Sequence, residues 1–170
     1  MLRQVLIAAG GVVALSATAA LAQAPGGQVI GVPRAVQVAE TTVKGRALEA
    51  ELDYEKGRLI YEVKTAAKGG VQEVVVDAMS GEIVAQHPRR MDSAWRWLAK
   101  SDQLNAVQAA PTPLSQLLTK VESDRGARVS EVSLERERGQ TFYEVELADG
   151  GRHVLIDPRT GAMRPGNFDD

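Results

Sequence analysis

Apolar and polar positions along this chain switch between helical and strand periods in the same order twice. Val32, Ala35, Val36, Ala39 and Val43 recur three and four residues apart, which is one face of a helix. Pro33 suits the first turn of that helix, and Gly45 is expected to end it in a left-handed conformation. The period then drops to two. Leu48, Ala50, Leu52 and Tyr54 alternate with Glu49, Glu51 and Asp53, as in a half-buried strand. Lys56-Gly57 predicts a hairpin turn into a second strand over 59–65, with Leu59, Tyr61 and Val63 facing inward. A loose turn over 66–70 leads to a third strand over 71–77, with Val74 and Val76 inward. Asp77 to Gly81 reads as a type I turn closed by a left-handed glycine, and 82–85 as a short last strand.

The pattern then repeats. Thr112 is the expected N-cap and Pro113 the expected first residue of a second helix, striped by Leu114, Leu117, Leu118 and Val121 and stopped by Gly126. Val129, Val132 and Leu134 lead a strand; Tyr143, Val145 and Leu147 the next; Val154 and Ile156 the third. Tyr61 and Tyr143 stand 82 residues apart, as do Gly57 and Gly139. Asp77 and Asp157 stand 80 apart, as do Gly81 and Gly161, and Pro33 and Pro113. The two-residue difference falls in the turn before the third strand, where a length change does least harm. The reading is therefore α+β: two repeats, 33–85 and 112–165, each one helix on a three- or four-stranded antiparallel sheet. A partly helical connector over 86–111 joins them, in which Asp92 or Ser93 caps a helix bearing Trp97, Leu98, Leu104 and Val107.

Residues 1–22 look like a secretory leader: Arg3, an apolar run, then Ala20-Leu21-Ala22 as a cleavage site before Gln23. The apolar run is too short for a spanning helix, and no later stretch is long enough, so the mature chain is expected in the periplasm or outside the cell. The formal net charge is −2, and −3 without Arg3, which gives no reason to expect nucleic acid as a partner. With no cysteine, disulfides, thiolate ligands and thiol nucleophiles are excluded.

The run Gly-x-x-x-Tyr-Glu-Val, a Gly-rich turn, then Val-x-Val/Ile-Asp-x-x-Ser/Thr-Gly resembles the PepSY domain, found in propeptides of thermolysin-like metalloproteases and in small exported bacterial proteins. The matching residues are Gly57, Tyr61, Glu62, Val63, Asp77 and Gly81, and then Gly139, Tyr143, Glu144, Val145, Asp157 and Gly161. Thr65-Ala66-Ala67 departs from the shorter acidic turn more usual in that family. The resemblance implies a helix on an antiparallel sheet, and a role in restraining or assisting a peptidase or in envelope sensing. Lacking a peptidase domain beside the repeats, the chain would act in trans on an envelope peptidase or sensor.

The residues offer little catalytic chemistry. His87 and His153 are the only histidines, without the ligand spacing of a zinc site. His87 is expected in a loop and His153 on a strand surface. Asp77 and Asp157 are expected to cap their own turns, and the serines lack a nucleophile elbow. No cofactor, metal or catalytic set is expected, and the chain reads as a protein- or peptide-binding module rather than an enzyme. The alternative is an architectural subunit of an envelope complex. Period-two alternation points Ile60 and Val75 outward in the first repeat, and Phe142 and Leu155 in the second. With Trp95 and Trp97 of the connector, these form the candidate interaction surface. Internal packing, between repeats or beneath the connector, is the favoured cover for them.

Overall fold

The structure, a computed structural model, describes residues 28–68, 70–88, 102–137 and 139–166. The leader, the connector residues 89–101 with Trp95 and Trp97, and the C-terminal 167–170 lie outside the described residues. Element order is α1 (Val32–Val43), β1 (Arg46–Glu55), β2 (Arg58–Ala67), β3 (Gly70–Asp77) and β4 (Ile83–Pro88). Then come α2 (Asp102–Gln108), α3 (Leu114–Arg125), β5 (Val129–Glu137), β6 (Gln140–Leu147), β7 (His153–Ile156) and β8 (Met163–Gly166). Each repeat is thus a helix and a four-stranded antiparallel meander.

The two meanders make one sheet, in the order β4-β3-β2-β1-β5-β6-β7-β8. Nine registered pairs join β1 to β2 and eight join β5 to β6. Only two are registered across the seam between β1 and β5: Ala50 with Val132, and Glu51 with Glu131. One continuous row runs from edge to edge on the helix face: Gln86, Val74, Val63, Ala50, Val132, Val145, Val154 and Pro165. Its six central residues are buried and belong to a single hydrophobic core with α1 and α3. The helices pack on each other, and α1 reaches past its own strands to touch β5. Burying the apolar stripes in one shared layer is what fuses the repeats.

Most of the periodicity reading holds. The stripe residues Val32, Ala35, Val36 and Ala39 of α1, and Leu114, Leu117, Leu118 and Val121 of α3, are buried. Lys56 and Gly57 both take positive φ in the two-residue hairpin, where the right-handed twist of the strands favours such turns. Asp77 does cap its turn: its Oδ1 accepts from the N–H groups of Met79 and Ser80 at 2.9 and 2.8 Å. Asp157 Oδ1 accepts from Arg159 N–H at 2.8 Å in the same way.

Several details differ. The left-handed residue after α1 is Lys44, at φ 50°, rather than Gly45. Gly45 is glycine because the chain passes close by: a Cβ there would sit 2.4 Å from the Ala66 carbonyl oxygen. Pro113 is the N-cap of α3, ahead of its first residue, and no side chain caps that end, so Thr112 does not play that part. Pro33 lies inside α1, so the two prolines are not equivalent. A bulge between Ala47 and Glu49 buries Ala47 and Leu48 together; farther along β1, beside the hairpin, Tyr54 is 63% exposed. The loose turn expected over 66–70 is strand at both ends, with Ala67 paired to Gly70. His87 lies in β4, which extends to Pro88.

Candidate functional site

The sheet face opposite the helices carries a second registered row: Ala85, Val75, Glu62, Glu51, Glu131, Glu146, His153 and Gly166. Four consecutive strands, β2-β1-β5-β6, each place a glutamate in this line, centred on the seam. The alternation that supplies core valines on one face supplies these glutamates on the other, one residue along each strand. Flanking the row on the same face are Glu49 and Asp53 of β1, Lys64 of β2, Glu73 of β3, and Glu144 of β6. Lys64 pairs with Glu49, and His153 Nδ1 lies 3.1 Å from Glu144 Oε1. Glu131 is exposed, while Glu51, Glu62 and Glu146 are half-buried.

The electrostatic result is visible at both sides of the seam. Although Glu131 is exposed as a residue, partial loss of solvent first, and then Glu51, Glu146, Glu49 and Glu144, raise its carboxyl above the ordinary value. Burial also leads in raising Glu62, followed by Glu73, Glu51 and Asp53, with Lys64 opposing.

The four described residues of the sequence-level surface all lie on this face, in two separate places. Ile60 and Val75 sit toward the β4 side and are already buried, at 2% and 7% exposure. Phe142 and Leu155 sit toward the β8 side and are half-buried. Arg164 stacks its guanidinium over the Phe142 ring at 4.7 Å, reaching across β7 from β8. Trp95 and Trp97 lie outside the described residues. The glutamate row is what the sequence reading passed over. Alternation with Tyr61, Val63, Tyr143, Val145 and Leu147 gives Glu62, Glu144 and Glu146 the outer face, but their alignment with Glu51 and Glu131 depends on pairing between β1 and β5. No local signal announces a pairing between strands this far apart in the chain.

On the helix side, a concavity of about 760 Å³ opens between the end of α1 and the start of α3, with Lys44, Arg46 and Lys68 at its walls. Its buried acid, Glu40, is consumed structurally: Oε1 accepts from the Ala47 N–H at 3.2 Å and Oε2 from Ser115 Oγ at 3.2 Å. Glu122 accepts from the Val129 N–H at 3.0 Å in the second repeat, in the equivalent place. Among the described residues, no three His, Asp or Glu side chains are grouped to hold a metal ion. Also among them, no helix is long and apolar enough to cross a membrane.

The family profile described as peptidase propeptide and YPEB domain (PepSY) matches this chain twice, over residues 30–87 and 112–163. No curated protein sequence matches. Among solved structures, the chain is similar to that of a Clostridium difficile 630 protein described as a lipoprotein, at 13% identity and a TM-score of 0.41, covering 78% of this chain and 90% of that one.

Proposed function

Because the chain belongs to the PepSY family through two matched segments, we propose that it works as an exported, non-catalytic protein- or peptide-binding module. It acts in trans on an envelope peptidase or sensor, and its contact surface is the outer face of the sheet. The peptidase-propeptide description of the family supports the class of partner. The leader at 1–22 supports export.

The observation that carries the reading is the glutamate row, with Phe142 and Leu155 beside it on the same face. A line of carboxylates edged by apolar side chains suits an extended segment that alternates basic and apolar residues, since complementary charge speeds encounter and fixes register. The test is fluorescence anisotropy with a labelled peptide alternating lysine and valine. Binding to the wild type should weaken steeply with added salt, and should be lost in a Glu51→Gln/Glu131→Gln/Glu146→Gln variant that folds normally. Equal binding by both proteins would remove the outer face from the function. Phe142→Glu adds a second check: loss of an envelope partner in affinity capture with an unchanged melting temperature supports a partner contact. A lowered melting temperature shows that Phe142 is covered from within. Export is tested by intact mass, the expected product beginning at Gln23.

A further inference from the structure

We infer that the seam between the two repeats is an acid-strengthened joint: like charge opposed across the Glu51–Glu131 pair loosens the pairing of β1 with β5, and neutralising that charge tightens it. The inference concerns the isolated chain and holds whatever partner the outer face meets.

The geometry sets the two faces of the seam against each other. Neighbouring strands lie about 4.8 Å apart, so directly opposed side chains on one face are close neighbours, and like charges so placed oppose pairing. Glu51 and Glu131 are opposed in this way on one of only two registered pairs that join the repeats. Glu62 and Glu146 extend the like charge by one strand on either side. The facing charged groups do not cancel it. On β1 these are Glu49, Asp53 and Glu55; on β2, Arg58 and Lys64; on β3, Glu73 and Asp77; on β4, His87; on β5, Glu135; on β6, Glu144; on β7, His153; on β8, Arg164. Arg58 lies 3.9 Å from Asp77, and Arg164 lies over the Phe142 ring. Lys64 is engaged with Glu49 and His153 stands against Glu144. Lys64 opposes the rise at Glu62 and is outweighed there, and at Glu131 the neighbouring charges that act are all acids.

On the helix face, ties hold the same seam shut. Tyr143 Oη donates to the Ala47 carbonyl at 2.7 Å, Ser115 Oγ to Glu40 at 3.2 Å, and Arg128 to the Val29 carbonyl at 3.3 Å, and α1 packs on α3. The repeats are therefore hinged on the helix side, while their outer side is pushed apart when the carboxyls are charged.

The sign follows from linkage. The Glu62 and Glu131 carboxyls are raised in the folded chain, so between the ordinary value of 4.5 and their raised values the folded state holds more protons than the unfolded one. Stability then falls as pH rises through that window, and the full repulsion stands above it. Asp77 works in the opposite direction. Its carboxyl is lowered from 3.8, mainly by the Ser80 N–H, so its contribution is lost only as pH falls below that value. The melting temperature should climb as pH falls from neutral toward 4.5 and turn down below 3.8.

The experiment uses the full mature chain. As pH falls from 7.5 to 4.5, the wild-type melting temperature should rise, and the amide protection of whichever pair, Ala50–Val132 or Glu51–Glu131, donates across the seam should increase several-fold after correction for intrinsic exchange. Glu51→Gln/Glu131→Gln should melt higher than wild type at pH 7.5 and lose most of the pH dependence. Glu82→Gln, an exposed change outside the row, should keep it. Carboxyl carbon NMR reads the row directly, without any variant: Glu131 should titrate above 4.5. A wild-type melting temperature that is level or falling between pH 7.5 and 4.5, a double variant with the wild-type slope, or Glu131 titrating at or below 4.5 would each overturn the inference.

Discussion

The two repeats share a motif but use it differently, and the clearest case is the motif tyrosine. Tyr61 and Tyr143 occupy the same place in their strands, and both are 2% exposed. Tyr61 has its phenol between its own repeat's entry segment at Gly31 and Arg128 and Glu122 of the second repeat, where it lines a pocket with Ala127 and Val129. Tyr143 reaches out of its repeat to the Ala47 carbonyl, next to the bulge in β1. Its phenol is pushed far up, mainly by burial and then by Glu40. The helices differ in the same spirit. Val32, Ala35, Val36 and Ala39 of α1 are matched 82 residues later by Leu114, Leu117, Leu118 and Val121 of α3. The smaller stripe belongs to the helix that lies across β1, β2, β3 and β5, and the larger one to the helix that fills the flank. One motif thus builds the fold twice with each tyrosine facing the other repeat, and it is the second copy's tyrosine that bonds to the backbone across the seam.

The strongest way to test this division is to hollow out the flank. Leu118 is fully buried among the core residues. Leu118→Ala should destabilise the protein by about 2–5 kcal/mol, since lost transfer energy and an unfilled cavity add. Val36→Ala, the equivalent change in α1, removes fewer atoms and should cost clearly less. Urea denaturation midpoints compare the two. Equal losses would mean that the larger stripe of α3 carries no larger share of the packing.

The second test asks whether Tyr143 is the latch. Tyr143→Phe keeps the ring and strands the Ala47 carbonyl in a buried place, which should cost about 1–3 kcal/mol. Tyr61→Phe should cost less, because its phenol is less deeply buried than that of Tyr143. Hydrogen exchange sharpens the contrast: Tyr143→Phe should loosen the Ala50 and Val132 amides ahead of the rest of the sheet, whereas Tyr61→Phe should not. Uniform loosening in both variants would reduce the tyrosines to ordinary core residues.

How much of this was legible follows from the range of each cause. The helix stripes, the strands, the hairpin at Lys56-Gly57 and the aspartate turns depend on neighbours a few residues away, so periodicity and turn chemistry reach them. The fusion into one sheet depends on β1 meeting β5, and nothing in either strand names its partner. That one unseen pairing hid the glutamate row, the Tyr143 bond and the crossing of α1 onto β5. Ile60 and Val75 show the matching limit of alternation: it gives the face a side chain points to, and leaves open whether something lies over that face. Glu40 and Glu122 were missed for a different reason. A glutamate late in a helix looks like solvated surface until the next strand's first N–H groups are seen to need an acceptor.

The smallest effect concerns the helix ends, where likeness in sequence misleads by one residue. Gly45 and Gly126 look equivalent, yet the left-handed residue is Lys44 in the first repeat and Gly126 in the second, at φ 50° and 64°. The residues that follow are Gly45 and Ala127. Alanine fits at 127, whereas at 45 a Cβ would strike the Ala66 carbonyl oxygen. The first repeat therefore spends its glycine on the close approach of β2 and leaves a lysine in a conformation that costs an L-residue about 1 kcal/mol. Lys44→Gly should relieve that strain and stabilise the protein by somewhat less than this, because glycine also gains freedom in the unfolded chain. Gly126→Ala, placed where nothing lies within 4 Å, should destabilise it by about 1 kcal/mol through backbone strain alone. Opposite shifts in melting temperature from two changes at equivalent places would show that the copies solved one helix ending in two ways. Shifts of the same sign would mean that Lys44 gains from its side chain what it loses in its backbone.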